Sequence, residues 1–245
     1  MSKRYKGKTC AYCGQSGASQ TADHVLARAF VAESFRSKIP IVPACLACNG
    51  AKADLEHYAA SIIPFGGRHA GASATLANDL PKRLAKNQRL HNELKLGQSR
   101  VWSEESGLIV PCLAIPIDGD RLEGLVGFIV RGLMFHHWGV ALGADSSVEA
   151  YNLTSRGEHT FNRHFGMNAA QHVSDDIGQG ALIYRGLQAV DNPTISMWEV
   201  SLYGGFKTVG NDPRIISTKY GVMTGPVVVI ERAAQLAASG LAFPY

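Results

Sequence analysis

Two Cys-x-x-Cys pairs, Cys10–Cys13 and Cys45–Cys48, enclose an Asp23-His24 dipeptide, and Asn49 follows the last cysteine directly. Four thiolates spaced as two close pairs suit one tetrahedral Zn²⁺, because each two-residue turn brings two sulfurs onto the same metal. A structural zinc accounts for Cys10, Cys13, Cys45 and Cys48. It assigns no role to an acid and an imidazole side by side in the loop the cysteines enclose, nor to an amide at the start of the segment that follows. The N-terminus, Met1 to Lys8, is polar and basic with no apolar run behind it, so no secretory signal is read there. A reducing cytoplasmic setting is therefore expected, in which paired cysteines hold metal and not each other.

Taken together, Cys10-x2-Cys13, Asp23-His24 and Cys45-x2-Cys48-Asn49-x2-Lys52 resemble the HNH endonucleases of the ββα-metal fold. The resemblance is to the branch stapled by a four-cysteine zinc, which includes phage Holliday-junction resolvases and many bacterial defence and mobile-element nucleases. It covers residues 8–62, about a quarter of the chain. It implies that Asp23 is the first ligand of a catalytic divalent cation such as Mg²⁺, that His24 is the general base, and that Asn49 is the second ligand of that cation. It also implies that Lys52 is a basic residue on the nucleic-acid side. The chain departs from the pattern in one respect. Many members carry an Asn that locks the loop before the second cysteine pair, whereas no Asn lies between Asp23 and Asn49 here. Pro40 and other hydrogen bonds are expected to hold that loop.

The chemistry of the side chains agrees with these roles. Hydrolysis of a phosphodiester needs a water stripped of a proton, and imidazole accepts one near neutrality. It also needs positive charge on the phosphate and on the leaving oxygen, which a hard divalent cation supplies. Such a cation prefers oxygen donors, so Asp and Asn are suited to it where Cys is not. Neighbouring residues of an extended segment point to opposite faces, so Asp23 can hold the ion while His24 addresses the water. The substrate expected is DNA. RNA or branched DNA is left open, as is the rival class of a zinc-bearing module that binds nucleic acid or protein without cutting it. His57, two turns beyond Asn49, reads as exposed or as a substrate contact and not as a third ligand.

The elements that must position these groups follow from spacing and turn chemistry. Lys8 to Gly14 reads as a strand end turning through the first cysteine pair, and Thr21 to Leu26 as a short extended piece. Arg28 to Lys38 reads as a loop or one to two helical turns. A helix is predicted from Ala47 to about Ser61, closed by Pro64-Phe65-Gly66-Gly67. Pro81 to Leu96 is predicted as one basic helix, with Leu84, Leu90 and Leu94 inside and Lys82, Arg83, Lys86 and Arg89 available to track phosphates.

The remainder changes character. Residues 1–100 hold 15 of the 24 Lys and Arg but 6 of the 20 Asp and Glu, a net of +9, while residues 101–245 carry a net of −5. The basic half suggests a polyanionic partner. The acidic half suggests a protein partner, a homodimer or a regulatory role. The apolar run Gly107–Ile117 is too short and too broken by proline to span a bilayer, and Cys112 within it reads as a buried thiol. Leu122–Leu142 is apolar nearly all round and should be a buried central helix. It carries Arg131-Gly132-Leu133, which resembles, more weakly, a helix of the accessory regions attached to many bacterial HNH proteins. His136 and His137 point about 100° apart on a helix, so they read as structural. His159, His164 and His172 fall in what reads as a polar loop region. Ala181–Val190 and Ile195–Val209 predict a β-hairpin, followed by a turn at Gly210-Asn211-Asp212-Pro213 and a last helix from about Pro226 to Gly240. No Gly-rich phosphate loop or nucleophile elbow is present. The fold class expected is α+β: a zinc-stapled ββα-metal nuclease module (1–64), a basic helical connector (65–100) and a C-terminal α+β domain (101–245) with a buried helix and an antiparallel hairpin or sheet.

Overall fold

The computed structural model describes residues 3–103, 108–166, 171–205 and 219–238. Strands β1 (Thr21–His24) and β2 (Ile41–Ala44) pair antiparallel and lead into α1 (Leu46–Gly66). Three short helices follow, α2 (Ala72–Asn78), α3 (Leu80–Lys86) and α4 (Gln88–Leu96), then a two-stranded ribbon of β3 (Ser99–Ser103) and β4 (Val110–Ala114). The long helix α5 (Gly119–Trp138) precedes β5 (Ser146–Asn152), α6 (Ser155–Phe165), β6 (Gln171–Ile177), β7 (Leu182–Gln188), β8 (Ser196–Leu202), β9 (Tyr220–Pro226) and α7 (Val227–Ala238). Strands β5–β9 form one antiparallel sheet in the order β5-β9-β8-β7-β6.

α5 is the central post of the fold. Leu122, Leu125, Val126, Ile129, Val130, Leu133 and Met134 are buried along it, as a helix apolar all round requires. It packs on α1 and β2 on one side and on β5 and β9 on the other. A Cβ at Gly132 would come within 2.9 Å of Val25 and 3.5 Å of Tyr12, so the glycine is what lets α5 lie close against the β1 region. The buried residues form one continuous cluster from Cys10 to Val222. The core thus crosses the expected boundary at residue 64 without interruption.

The alternation predicted for the hairpin holds in the sheet. Trp198, Val200 and Leu202 of β8 face the core, and β7 pairs with β8 as expected. Other expectations are corrected. Lys8–Gly14 is a turn and not a strand, and β1 stops at His24, two residues early. The predicted Pro81–Leu96 helix is two helices. Asn87 has non-helical backbone angles (φ −121°, ψ 74°), and its side chain accepts the Leu90 N–H as the N-cap of α4. The region of His159, His164 and His172 is not a loop but α6 and β6. Cys112 is exposed and not buried, because the β3–β4 ribbon joins no third strand among the described residues and turns Pro111, Cys112 and Leu113 outward. The expected turn at residues 210–213, the end of the second hairpin strand and Gly240 lie outside the described residues.

α1 continues through Pro64, where the proline and the glycines beyond it predict a stop. Proline cannot donate the bond that the Ala60 carbonyl would receive. Arg83 of α3 takes its place, its Nη1 donating to Ala60 O at 2.6 Å. Arg83, expected on the nucleic-acid face, is therefore committed to repairing a helix. Removing a charged donor from a nearly buried carbonyl should cost about 1–3 kcal/mol. Denaturant unfolding of Arg83→Ala should show that loss, and a smaller one in a Pro64→Ala background, where residue 64 regains its N–H. Equal losses in both backgrounds would contradict this role.

Candidate metal-binding and catalytic site

The first cysteine pair is shaped by a tight turn. Gly14 N–H donates to Cys10 O (3.0 Å) and Cys10 N–H to Gln15 O (3.1 Å). Gly14 has φ +71°, and a Cβ there would lie 2.7 Å from the Leu142 carbonyl oxygen, so both conformation and space demand glycine. The second pair opens α1. Cys45 is its N-cap, with Sγ accepting the Cys48 N–H at 3.4 Å, while the Cys45 N–H donates to Cys10 Sγ at 3.3 Å. A helix N-terminus and amide donors both favour thiolate.

The ligand atoms of Cys10, Cys13, Cys45 and Cys48 all lie within 4.8 Å of one another. Sulfurs about 2.3 Å from a central zinc stand about 3.8 Å apart, so small shifts close them on a tetrahedral ion. Burial pushes the Cys13 and Cys48 thiols up, so a cation is what would hold them ionised. The cluster fits a metal such as zinc. Among the described residues it is the one group of three or more His, Cys, Asp or Glu side chains close enough to share an ion.

Arg131 of α5 braces the first pair. Its Nη1 donates to the Tyr12 carbonyl at 3.0 Å and to the Leu142 carbonyl at 3.3 Å. Burial lowers its pKa, and the charges of Cys48 and Cys13 oppose that shift, which records its nearness to the sulfurs. Arg131 and Cys48 share a cleft of about 390 Å³ with Tyr12, Phe128, Glu123 and Glu149.

β1 carries Asp23 opposite Val42 and His24 opposite Ile41. The Val25 N–H donates to Pro40 O at 2.9 Å, which holds the end of the strand where the resemblance would put an Asn-locked loop. Asp23 and His24 are half-buried, and so is Asn49 in the first turn of α1. Lys52 lies three residues after Asn49, on the same helix face. It is fully buried, which removes it from any direct contact with nucleic acid. Its ammonium donates to the His24 carbonyl at 2.8 Å, stands 3.1 Å from Asp23 Oδ2 and pairs with Glu56 at 2.5 Å. The Tyr12 hydroxyl donates to the same Asp23 Oδ2 at 2.6 Å. Among the described residues neither Asp23 Oδ1 nor the Asn49 side chain makes a hydrogen bond.

Burial lowers the His24 pKa below its ordinary 6.5, with Arg28 and Lys52 acting the same way and Asp23 opposing. Burial raises Glu56, against the pull of Lys52. Tyr12 is raised well above the usual phenol range by burial and by Asp23, so it stays a donor. The side chains that sequence reasoning missed are Tyr12, Glu56, Arg28 and Arg131. Glu56 had a readable signal, since it stands four residues after Lys52. Exposed Arg28, whose charge reaches His24, had none beyond its proximity in sequence.

Of the expected phosphate contacts, Lys82, Lys86 and Arg89 are exposed on α3 and α4. His57 is exposed. His137 is held by the Tyr184 hydroxyl at 2.8 Å, the structural role expected of it. Among the described residues no helix is long and apolar enough to cross a membrane. Compared with protein-family models, curated proteins and solved structures, the chain matches none.

Metal analysis of the purified chain should find about one tightly held zinc, and Cys45→Ser should lose it and lower the thermal midpoint by about 5–10 °C. Because the core is continuous, the whole transition should shift. Protein without zinc, or a Cys45→Ser variant that melts like the wild type, would remove the metal from the cluster.

Proposed function

We propose that the chain is a metal-dependent endonuclease of the HNH kind, with a ββα nuclease module stapled by zinc at Cys10, Cys13, Cys45 and Cys48. The observation that carries this reading is the meeting of Asp23 with the first turns of α1. Lys52 stands 3.1 Å from the Asp23 carboxylate and one helical turn beyond Asn49. Asp23 is thereby set beside the helix that carries Asn49 in its first turn, with His24 next along the strand. Asp23 and Asn49 are the oxygen donors that would hold Mg²⁺ or a similar ion. Such a cation would supply positive charge to the scissile phosphate and the leaving 3′ oxygen.

His24 is suited to take the proton from the attacking water. Its lowered pKa keeps the ring neutral at pH 7, the form that accepts a proton. DNA is the proposed substrate, with Lys82, Lys86 and Arg89 offering charge to the backbone. Lys52 and Arg83 do not share that task, since both are spent inside the protein. One observation favours the rival reading of a module that binds without cutting. Lys52 and Tyr12 both engage Asp23 Oδ2, which leaves a cation only Oδ1.

Plasmid nicking with added Mg²⁺ or Mn²⁺ separates the two. The wild type should cut only with the divalent ion, and His24→Ala should lower turnover by about 10²–10⁴ with zinc retained. Asp23→Ala and Asn49→Ala should be rescued in part by excess cation. The acid limb of the rate should have its midpoint below pH 6.5, because a lowered pKa leaves His24 neutral further into acid. Wild-type rates from His24→Ala at saturating metal would remove the base.

Binding tests the basic face separately. Replacing Lys82, Lys86 and Arg89 with Ala should flatten the salt dependence of DNA affinity by about one slope unit for each phosphate no longer neutralised. An unchanged slope would make these side chains ordinary solvated charge.

A further inference from the structure

The ion pair that favours the rival reading has a second consequence, because both of its donors act on the same oxygen. Tyr12 and Lys52 each contact Asp23 Oδ2, at 2.6 and 3.1 Å. Oδ1 accepts nothing from the described residues. A carboxylate gripped by one oxygen from two directions loses its freedom to rotate and presents the other oxygen in a fixed direction. We infer that Tyr12 and Lys52, each carried on a segment that bears one of the cysteine pairs, are positioning residues that aim Asp23 Oδ1 at the divalent cation. This rests on the cation site of the proposed nuclease.

Both donors are rigidly held, which is what positioning requires. Tyr12 lies between Cys10 and Cys13 and is 2% exposed. Its ring meets Phe128 of α5 edge-on at 5.3 Å, and its carbonyl takes the Arg131 guanidinium. The phenol therefore cannot follow a moving carboxylate. The carboxylate must come to it.

Lys52 reaches Asp23 from the other cysteine pair, four residues after Cys48. Its ammonium meets three oxygens: it donates to Glu56 Oε1 and the His24 carbonyl and pairs with Asp23 Oδ2 at 3.1 Å. Two of those contacts are hydrogen bonds, to Glu56 and to the His24 carbonyl, and no solvent reaches the ammonium, so its position beside Asp23 is fixed. With both acids ionised, Glu56 offsets the charge of Lys52, and the trio keeps one net negative charge for a cation. The lysine that orients the ligand thus does not neutralise it. Through the His24 carbonyl the same ammonium also ties down the backbone that carries the imidazole.

The test uses the full zinc-loaded chain and reads Mn²⁺ binding by the decline of the free-ion electron paramagnetic resonance signal. Tyr12→Phe removes one hydroxyl and keeps the ring. It should weaken Mn²⁺ about tenfold or more, within the range seen when a partner of a metal ligand is removed. Zinc content should stay at the wild-type value. In an Asp23→Asn background the same change should have no further effect, which a merely structural tyrosine would not produce. Lys52→Met should weaken Mn²⁺ as well. It also leaves two half-buried carboxylates without their counter-charge, so Tyr12→Phe decides the matter if that variant does not fold.

A Tyr12→Phe chain that titrates like the wild type, while Asp23→Ala loses the site, overturns the positioning role and leaves the nuclease reading standing. Weakened Mn²⁺ binding in a protein that cuts no nucleic acid does the reverse. A wild type with no saturable Mn²⁺ site overturns both.

Discussion

A lysine ammonium with no access to water constrains the N-terminal third of this protein. Burying an unpaired charge costs several kcal/mol, so Lys52 is tolerable only where its acceptors converge. They come from two elements: Asp23 and the His24 carbonyl from β1, and Glu56 from the next turn of α1. The strand cannot slide along the helix without stranding a charge. Register between β1 and α1 is thus specified by electrostatics, where β1 offers four residues and none of them buried. The cysteine cluster tightens the same arrangement from the other end, since it ties the turn before β1 to the first turn of α1.

α5 extends that constraint to the rest of the chain. Gly132 removes the side chain that would hold α5 off Val25, and Arg131 replaces solvent for two turn carbonyls. On its opposite side the helix is covered by β5 and β9. The cysteine cluster and the five-stranded sheet therefore share one core and one central helix. Changes in the cysteine cluster reach the sheet through packed atoms of that shared core.

Features that rest on local pattern were legible in the sequence. Cysteine spacing marked the cluster, the nearly all-round apolar character of residues 122–142 marked α5, which ends earlier at Trp138, and the alternation of Trp198, Val200 and Leu202 marked β8. Features decided by a distant partner were not. Pro64 reads as a helix end unless Arg83 is known to supply the missing donor. Lys52 reads as a surface base unless three acceptors are known to surround it. Asn87 interrupts a smooth leucine stripe because its own side chain competes for the helix backbone, a local effect that the apolar period masks. Cys112 sits in an apolar run, yet a ribbon with no third strand leaves that run outside the core. The segments of α6 and β6 are polar overall and bury almost nothing, so no apolar run marked them. The candidate site followed the same division. Asp23, His24 and Asn49 stood out by type and spacing, whereas Tyr12 joins them only through the fold.

The most direct measurement is a crystal of the zinc-loaded chain soaked with Mn²⁺, with data collected at wavelengths that separate the two metals by anomalous scattering. Zinc is expected among Cys10, Cys13, Cys45 and Cys48, and manganese in direct contact with Asp23 Oδ1 and the Asn49 side-chain oxygen, with His24 facing a water beside it. Manganese elsewhere, for example between Glu123 and Glu149 in the neighbouring cleft, with the Asp23–Lys52 pair undisturbed, would contradict a catalytic cation at Asp23 and leave the residue a structural role.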